Sequence, residues 1–332
     1  MKILTIAVPS YNMENHLLKN LNTYCDEELK ESLEVIILDN ASTDGTSKIA
    51  NAYTNQYPEI FRLISRSSRG YGSSINEAIR EAKGLYFRIV DADDWVETTE
   101  LLKLIQDLKT CNSDIVQTHY QTVHMVTNAR HDIFMKEVIF GYEYTDFNTC
   151  HTNVPCIHSI IYRTSLLKDS KVTLQDGIFF VDEEYVIMPF LYAKTITYYP
   201  YNIYRYLIGN PAQSTSPVNR GKYFHHREMI VKRLIDFFNT MDMHENIREY
   251  CFFRISQAAG DHLTTLYLYL PNYKDGRKIA KEWLLYLKEA ETKIYNSVRK
   301  KAVILNILNR IHLKVIVYNE LKKLRRYLCC KL

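Results

Sequence analysis

A mainly parallel α/β sheet, doubly wound by helices on both faces and followed by a helical C-terminal region, is the fold that this sequence predicts. Over residues 1–120, short apolar runs with strand character alternate with amphipathic runs of helical period. Polar clusters follow those apolar runs directly, at the strand ends where open α/β sheets bind their ligands. Beyond residue 217 the strand pattern stops and only helical periodicity remains.

Strands are expected at residues 3–8, 34–38, 61–64, 85–90 and 114–118. Between them, residues 14–24, 45–55, 71–83 and 98–108 carry helical periodicity with start signals. From 121 to 206 the order is irregular and rich in aromatics, which suits some antiparallel pairing. The run Gly209-Asn210-Pro211-Ala212-Gln213-Ser214-Thr215-Ser216-Pro217 is the strongest loop signal in the chain. It sets a boundary near Val218, giving an α/β domain over 1–217 and a helical region over 218–332. In that region, helices are expected at 222–238, 247–269, 276–289 and 294–328.

With 46% hydrophobic and 24% charged residues in 332, the composition is that of a soluble globular chain. No apolar run approaches the ~20 residues that span a bilayer, and Pro9 breaks the opening run too soon for a signal peptide. Seven cysteines at irregular spacing, with no Cys-x-x-Cys pair, fit free thiols and a cytoplasmic location. Cys150, His151, Cys156 and His158 lack a zinc-site spacing. No GxGxxG follows the first strand and no GxxxxGK[ST] occurs, which argues against dinucleotide oxidoreductases and P-loop enzymes. No nucleic-acid partner is expected. The 26 tyrosines fit either a polar sugar cleft or a tyrosine-rich core.

Charge is unevenly spread. From Arg299 to Leu332 there are ten Lys/Arg against Glu320 alone, so a net +4 chain has a mildly acidic body and a basic end. In that end Ile304, Leu308, Ile311, Val315, Tyr318, Leu321, Leu324 and Leu328 recur at three- and four-residue steps among the basic residues. This describes a basic amphipathic helix, suited to an anionic membrane surface, to the α/β domain or to a second subunit.

The densest chemistry lies at Phe87-Arg88-Ile89-Val90-Asp91-Ala92-Asp93-Asp94-Trp95, where an apolar strand runs into three carboxylates. Such acids repel one another unless a cation sits among them. Hard oxygen ligands suit Mg²⁺ or Mn²⁺, which usually also hold a diphosphate. The other reading is an acidic turn in which Asp93 or Asp94 caps the helix from Thr98.

These motifs together resemble the inverting glycosyltransferases of family 2, which have the GT-A fold. The resemblance covers roughly residues 3–215. It rests on Val8-Pro9-Ser10-Tyr11-Asn12, on Val35 to Thr46 with Asp39-Asn40-Ala41-Ser42, on Arg69-Gly70-Tyr71-Gly72 with Asn76 and Ala82-Lys83-Gly84, and on the acidic motif. It implies a nucleoside-diphosphate sugar as donor, with Mn²⁺ or Mg²⁺ held by Asp93 and by Asp91, which also reaches the ribose. Asp39 resembles the acid that meets the base, while Pro9, Tyr11, Glu14 and Ala92 would line the donor pocket. Arg69 is either a phosphate or ribose contact or an ordinary surface arginine.

Inversion requires a base on the acceptor side. Asp176-Gly177-Ile178-Phe179-Phe180-Val181-Asp182-Glu183-Glu184 resembles the segment that supplies it, with Val181 where the family usually has Glu. The resemblance favours Asp182 as base, with Glu184 in reserve; three acids capping a helix are the alternative. His158 is implied on the acceptor side. Tyr204-Arg205-Tyr206, Gly209 and Gln213 resemble the segment that closes over the diphosphate, with Arg205 and Gln213 as contacts. The resemblance implies a metal-dependent inverting transferase that uses a UDP-sugar in the family's manner and builds surface polysaccharide, a lipid-linked glycan or a glycoconjugate. A protein-glycosylating transferase and a silent paralogue that binds another transferase are the alternatives.

Overall fold

The computed structural model describes residues 1–312; the expected stripe positions from Val315 onward lie outside the described residues. Contacts divide the chain into two compact units, residues 1–210 with 243–250, and residues 211–242 with 251 onward.

The first unit opens with β1 (Leu4–Ser10), α1 (Leu17–Asn22), β2 (Leu33–Asn40), α2 (Thr46–Gln56), β3 (Phe61–Arg66), α3 (Tyr71–Glu81) and β4 (Tyr86–Ile89). It continues through β5 (Trp95–Val96), α4 (Thr98–Leu108), β6 (Ile115–His124), β7 (Arg130–Ile133) and β8 (Glu143–Tyr144). β9 (Ile160–Arg163), α5 (Thr164–Ser170), α6 (Asp182–Ile187) and β10 (Ile196–Ile208) complete it. All strands join one ten-stranded sheet, ordered β3-β2-β1-β4-β9-β6-β10-β5, with β7 on β6 and β8 on β10. β3, β2, β1 and β4 run parallel. β9 then enters antiparallel to both β4 and β6, and β10 runs parallel to β6.

The sheet is therefore parallel where strand and helix alternate and mixed beyond. Every residue of β1 and β2 is buried, as strands covered on both faces require. Because β2, β1 and β4 are parallel neighbours, their carboxyl ends share one edge of the sheet, and residues 11, 39 and 91 emerge there together. Two glycines permit close approaches, Gly84 at the opposite, amino end of these strands and Gly72 at the start of α3. A Cβ on Gly84, just before β4, would meet the Thr5 nitrogen at 2.4 Å, and one on Gly72 would meet the Gln175 carbonyl oxygen at 1.8 Å.

In the second unit lie α7 (Pro217–Lys222), α8 (Phe224–Thr240), α10 (Tyr273–Ala290), α11 (Thr292–Arg310) and, from Cys251, most of α9 (Glu245–Leu268). Three starts carry side-chain caps. Ser216 accepts from Asn219 N before Pro217, Asn272 accepts from Lys274 N and Asp275 N, and Glu291 accepts from Lys293 N. One face of α11 is buried through Ile294, Val298, Ala302 and Leu305. Asn309 ends that face, donating to the Tyr267 carbonyl at 2.6 Å and accepting from Arg277 at 2.5 Å.

Candidate active site

The turn after β1 and the turn after β2 are laced together. Asn12 takes a positive φ of 52°, donates its N–H to Ser42 Oγ at 3.0 Å and accepts from Thr43 N at 2.8 Å. Glu14 accepts from Gly45 N at 2.7 Å and donates its own N–H to Asp44 at 3.2 Å. Asp39, buried at the end of β2, accepts from Ser42 N at 3.0 Å and from the Ser47 hydroxyl. Ala41 adopts φ 60°, a left-handed conformation that a non-glycine residue holds only where its surroundings impose it. Across this lip the Arg69 guanidinium lies 4.0 Å over the Tyr11 ring, so two of the expected donor residues meet directly. Glu14, by contrast, is occupied in holding the 45–46 turn.

The acidic motif divides into two kinds of carboxylate. Asp94 is 1% exposed and turned inward, where Tyr204 donates to it at 2.5 Å and Leu207 N at 2.7 Å. Burial, then the charges of Asp93 and Asp91, hold its proton affinity well above the usual carboxylate range. It is not a helix cap, and Glu97, the residue preceding α4, makes no side-chain cap either. Asp91 and Asp93 are only half-buried. Asp91 accepts from the Tyr71 hydroxyl at 2.7 Å. Burial, with Asp93 and Asp182 adding to it, raises the Asp91 pKa to about 7, and the Tyr71 bond opposes the rise. Asn20, buried in α1, fixes the backbone of the turn by donating to the carbonyls of Asp91 at 3.1 Å and Asp94 at 2.8 Å.

Asp182 is the first residue of α6 and lies within electrostatic reach of both Asp91 and Tyr71. Gly177 and Phe180 both take φ 71° in the turn that delivers it. Upstream, Asn76 on α3 donates to the Leu174 carbonyl and accepts from Leu174 N, each at 2.9 Å, while Asp176 accepts from Ser73 N at 3.3 Å. Glu184, fully buried, accepts from Gln175 N at 2.8 Å.

Three further expected residues have partners of their own. Along β10, alternation directs Tyr204 to Asp94 and Tyr206 to His158, with Arg205 on the other face. The Arg205 guanidinium there donates to the Asn202 carbonyl at 2.7 Å and pairs with Glu97 at 3.4 Å. Gln213 belongs to the second unit, where its carbonyl accepts from Asn219 Nδ2 at 3.0 Å. His158 stacks on Tyr206 at 3.9 Å and meets Tyr204 edge-on at 5.0 Å. Burial, then the charge of Arg88, pushes its pKa down to about 3, so it is a neutral packing ring.

The sequence of residues 5–170, half of the chain, matches glycosyl transferase family 2. The chain belongs to that family. It is 30% identical over 219 residues to the poly(ribitol-phosphate) beta-glucosyltransferase of Bacillus spizizenii, covering 64% of this chain and 33% of that one. With the cholesterol galactosyltransferase of Borreliella burgdorferi it shares 25% over 236 residues, 66% of this chain and 64% of that one. The chain thus spans about a third of the first relative and less than two thirds of the second. A crystal structure of Staphylococcus aureus TarS in complex with UDP-GlcNAc superposes with a TM-score of 0.62 at 20% identity, covering 91% of this chain and 90% of that one. The fold is GT-A.

Within this family 2 fold, sequence reasoning passed over Tyr71, Asn20 and the inward role of Asp94. Tyr71 had a signal: it opens α3 at the same sheet edge as the acids. Asn20 had none, since its contact with the 91–94 turn spans more than seventy residues. Among the described residues no three His, Cys, Asp or Glu side chains converge as a ready-made metal cage. Asp91 and Asp93 nevertheless fit a hard cation, because Mg²⁺ and Mn²⁺ commonly take one or two carboxylates and complete their shell with water and substrate phosphate.

Proposed function

We infer that this chain is an inverting glycosyltransferase, moving a sugar from a nucleoside-diphosphate donor to an acceptor hydroxyl. The observation that carries the reading is the grouping of Tyr11 with Arg69, Asp39, and Asp91 with Asp93 along one sheet edge, with Asp182 within electrostatic reach of Asp91. Tyr11, Pro9 and Asp39 offer a pocket for the nucleoside, and Arg69 a cation for ribose or phosphate. Asp91 and Asp93 would hold Mn²⁺ or Mg²⁺, which when bound offsets the charge of the departing diphosphate. Tyr71 orients the Asp91 carboxylate. Asp182 takes the proton from the acceptor hydroxyl as its oxygen attacks the anomeric carbon, opposite the leaving group. Glu184 is committed to Gln175 N, which favours Asp182 over it as base.

The UDP-GlcNAc bound by TarS supports a UDP-sugar as donor, and the poly(ribitol-phosphate) relative supports a surface glycopolymer or lipid-linked glycan as acceptor. With such an acceptor the enzyme would work at the inner face of the cell membrane, in peripheral contact with it. The test is hydrolysis of a panel of nucleotide sugars with Mn²⁺, followed by transfer to polyol-phosphate polymer. Release of nucleoside diphosphate from one donor supports the reading. No release from any donor leaves a silent binding paralogue instead.

A further inference from the structure

We propose that the outer face of α11 is a docking surface for an anionic lipid bilayer. α11 carries two separate apolar stripes. Ile294, Val298, Ala302 and Leu305 are buried in the helical unit. Val303, Ile304 and Ile307 near the C-terminal end, with Ile311 just past Arg310, are 53–61% exposed. At 3.6 residues per turn the two sets lie on opposite sides of the helix, so the second stripe is not an edge of the first. A soluble helix with one packed face normally gives its other face to polar residues, and here the C-terminal half of that face is aliphatic.

Charge decides what covers it. α11 contains Lys293, Arg299, Lys300, Lys301 and Arg310 and no Asp or Glu. Lys301 turns toward Asp261 at 3.2 Å. Lys293 and Lys300 are exposed in line with the outer stripe, and Arg299 and Arg310 flank it. The sequence after residue 312 adds six more Lys/Arg against Glu320. Two copies meeting through this face would bring like charges together, whereas an anionic headgroup layer neutralises them while its acyl boundary accepts the aliphatic side chains. No helix among the described residues is long and apolar enough to cross a membrane, so the contact lies along the surface. The inference deepens the peripheral placement given above by naming the surface responsible. Binding is read without turnover, so it and the transferase reading fail separately.

The experiment is co-sedimentation of the full chain with vesicles rich in phosphatidylglycerol or made of phosphatidylcholine alone. The full chain is expected to pellet with the anionic vesicles and to be released at about 1 M salt, where the Debye length falls to about 3 Å. Lys293→Gln with Lys300→Gln should weaken binding roughly thirtyfold, about fivefold for each charge. Ile304→Gln with Ile307→Gln, at exposed positions and with a good helix former, should weaken it on the order of tenfold or more without lowering the thermal midpoint. Equal binding to both vesicle types, no binding to either, or unchanged binding in both double variants overturns the proposal. So does a dimer of the full chain that the Ile304→Gln, Ile307→Gln variant dissociates, because the stripe then belongs to a second copy.

Discussion

The Tyr204 hydroxyl donates to Asp94 Oδ2 at 2.5 Å, and the same oxygen accepts from Asp91 N at 3.2 Å. One side chain of β10 thus holds both ends of the acidic turn, and Asp94 serves as its anchor rather than as a ligand. Tyr204→Phe should cost about 1–3 kcal/mol, the penalty for leaving buried polar groups unpaired, measured by denaturant unfolding. Asp94→Asn keeps the shape and an acceptor for Leu207 N, so it should retain most turnover. A dead, fully folded Asp94→Asn enzyme would add Asp94 to the metal ligands.

Asp93→Ala should lose activity by orders of magnitude while the thermal midpoint holds, because a half-buried strand-end acid contributes little core. EDTA should abolish turnover of the wild type, and Mn²⁺ or Mg²⁺ should restore it. Full turnover in EDTA, read as nucleoside diphosphate released, would remove the metal from the mechanism.

For the base, Asp182→Asn should preserve donor affinity and lower kcat by ~10²–10⁴-fold. Glu184→Gln should instead act on stability, since its carboxylate accepts from Gln175 N inside the protein. Steady-state kinetics beside thermal melts separate the two. A stable but inactive Glu184→Gln enzyme would shift the role to Glu184.

Metal-free protein should become less stable as pH rises from about 4 to about 7. Asp91 has a folded-state pKa raised to about 7, above the ~3.9 of an unfolded chain. The native state therefore binds the extra proton in that window, and its stabilisation is lost on passing through 7. Asp91→Asn should flatten this part of the profile. Mn²⁺ competes for the ionised carboxylate, so its apparent affinity should rise over the same window and level off above it. A melt series with and without Mn²⁺ reads both; a wild-type profile that matches Asp91→Asn would refute the linkage.

The first half of the fold was legible because local period and strand-end chemistry agree there. Helix 98–108 has the bounds that its period predicts, and the polar clusters containing Tyr11, Asp39 and Asp91 stand at the carboxyl ends of parallel strands, while their individual roles come from the family resemblance. Pairings between distant segments were not legible: nothing in residues 160–163 says that they insert antiparallel between β4 and β6. Arg205 shows the consequence for the site. Once 196–208 is recognised as a strand, alternation separates Arg205 from Tyr204 and Tyr206; the irregular pattern over 121–206 gives no such warning. Glu184 needed burial to be known before its carboxylate could be separated from that of Asp182.

α3 touches both sides of the candidate site. Its first residue, Tyr71, grips Asp91, and one and a half turns later Asn76 clasps both backbone groups of Leu174, on the segment that leads to Asp182. Gly72 lies against the neighbouring carbonyl with no room for a methyl group. The proposed leaving-group side and the proposed acceptor side are thus hung from a single rigid strut, which sets the gauge between them. The in-line displacement proposed for this site would tolerate little error in that gauge, which depends on the seating of one helix rather than on two loops finding each other.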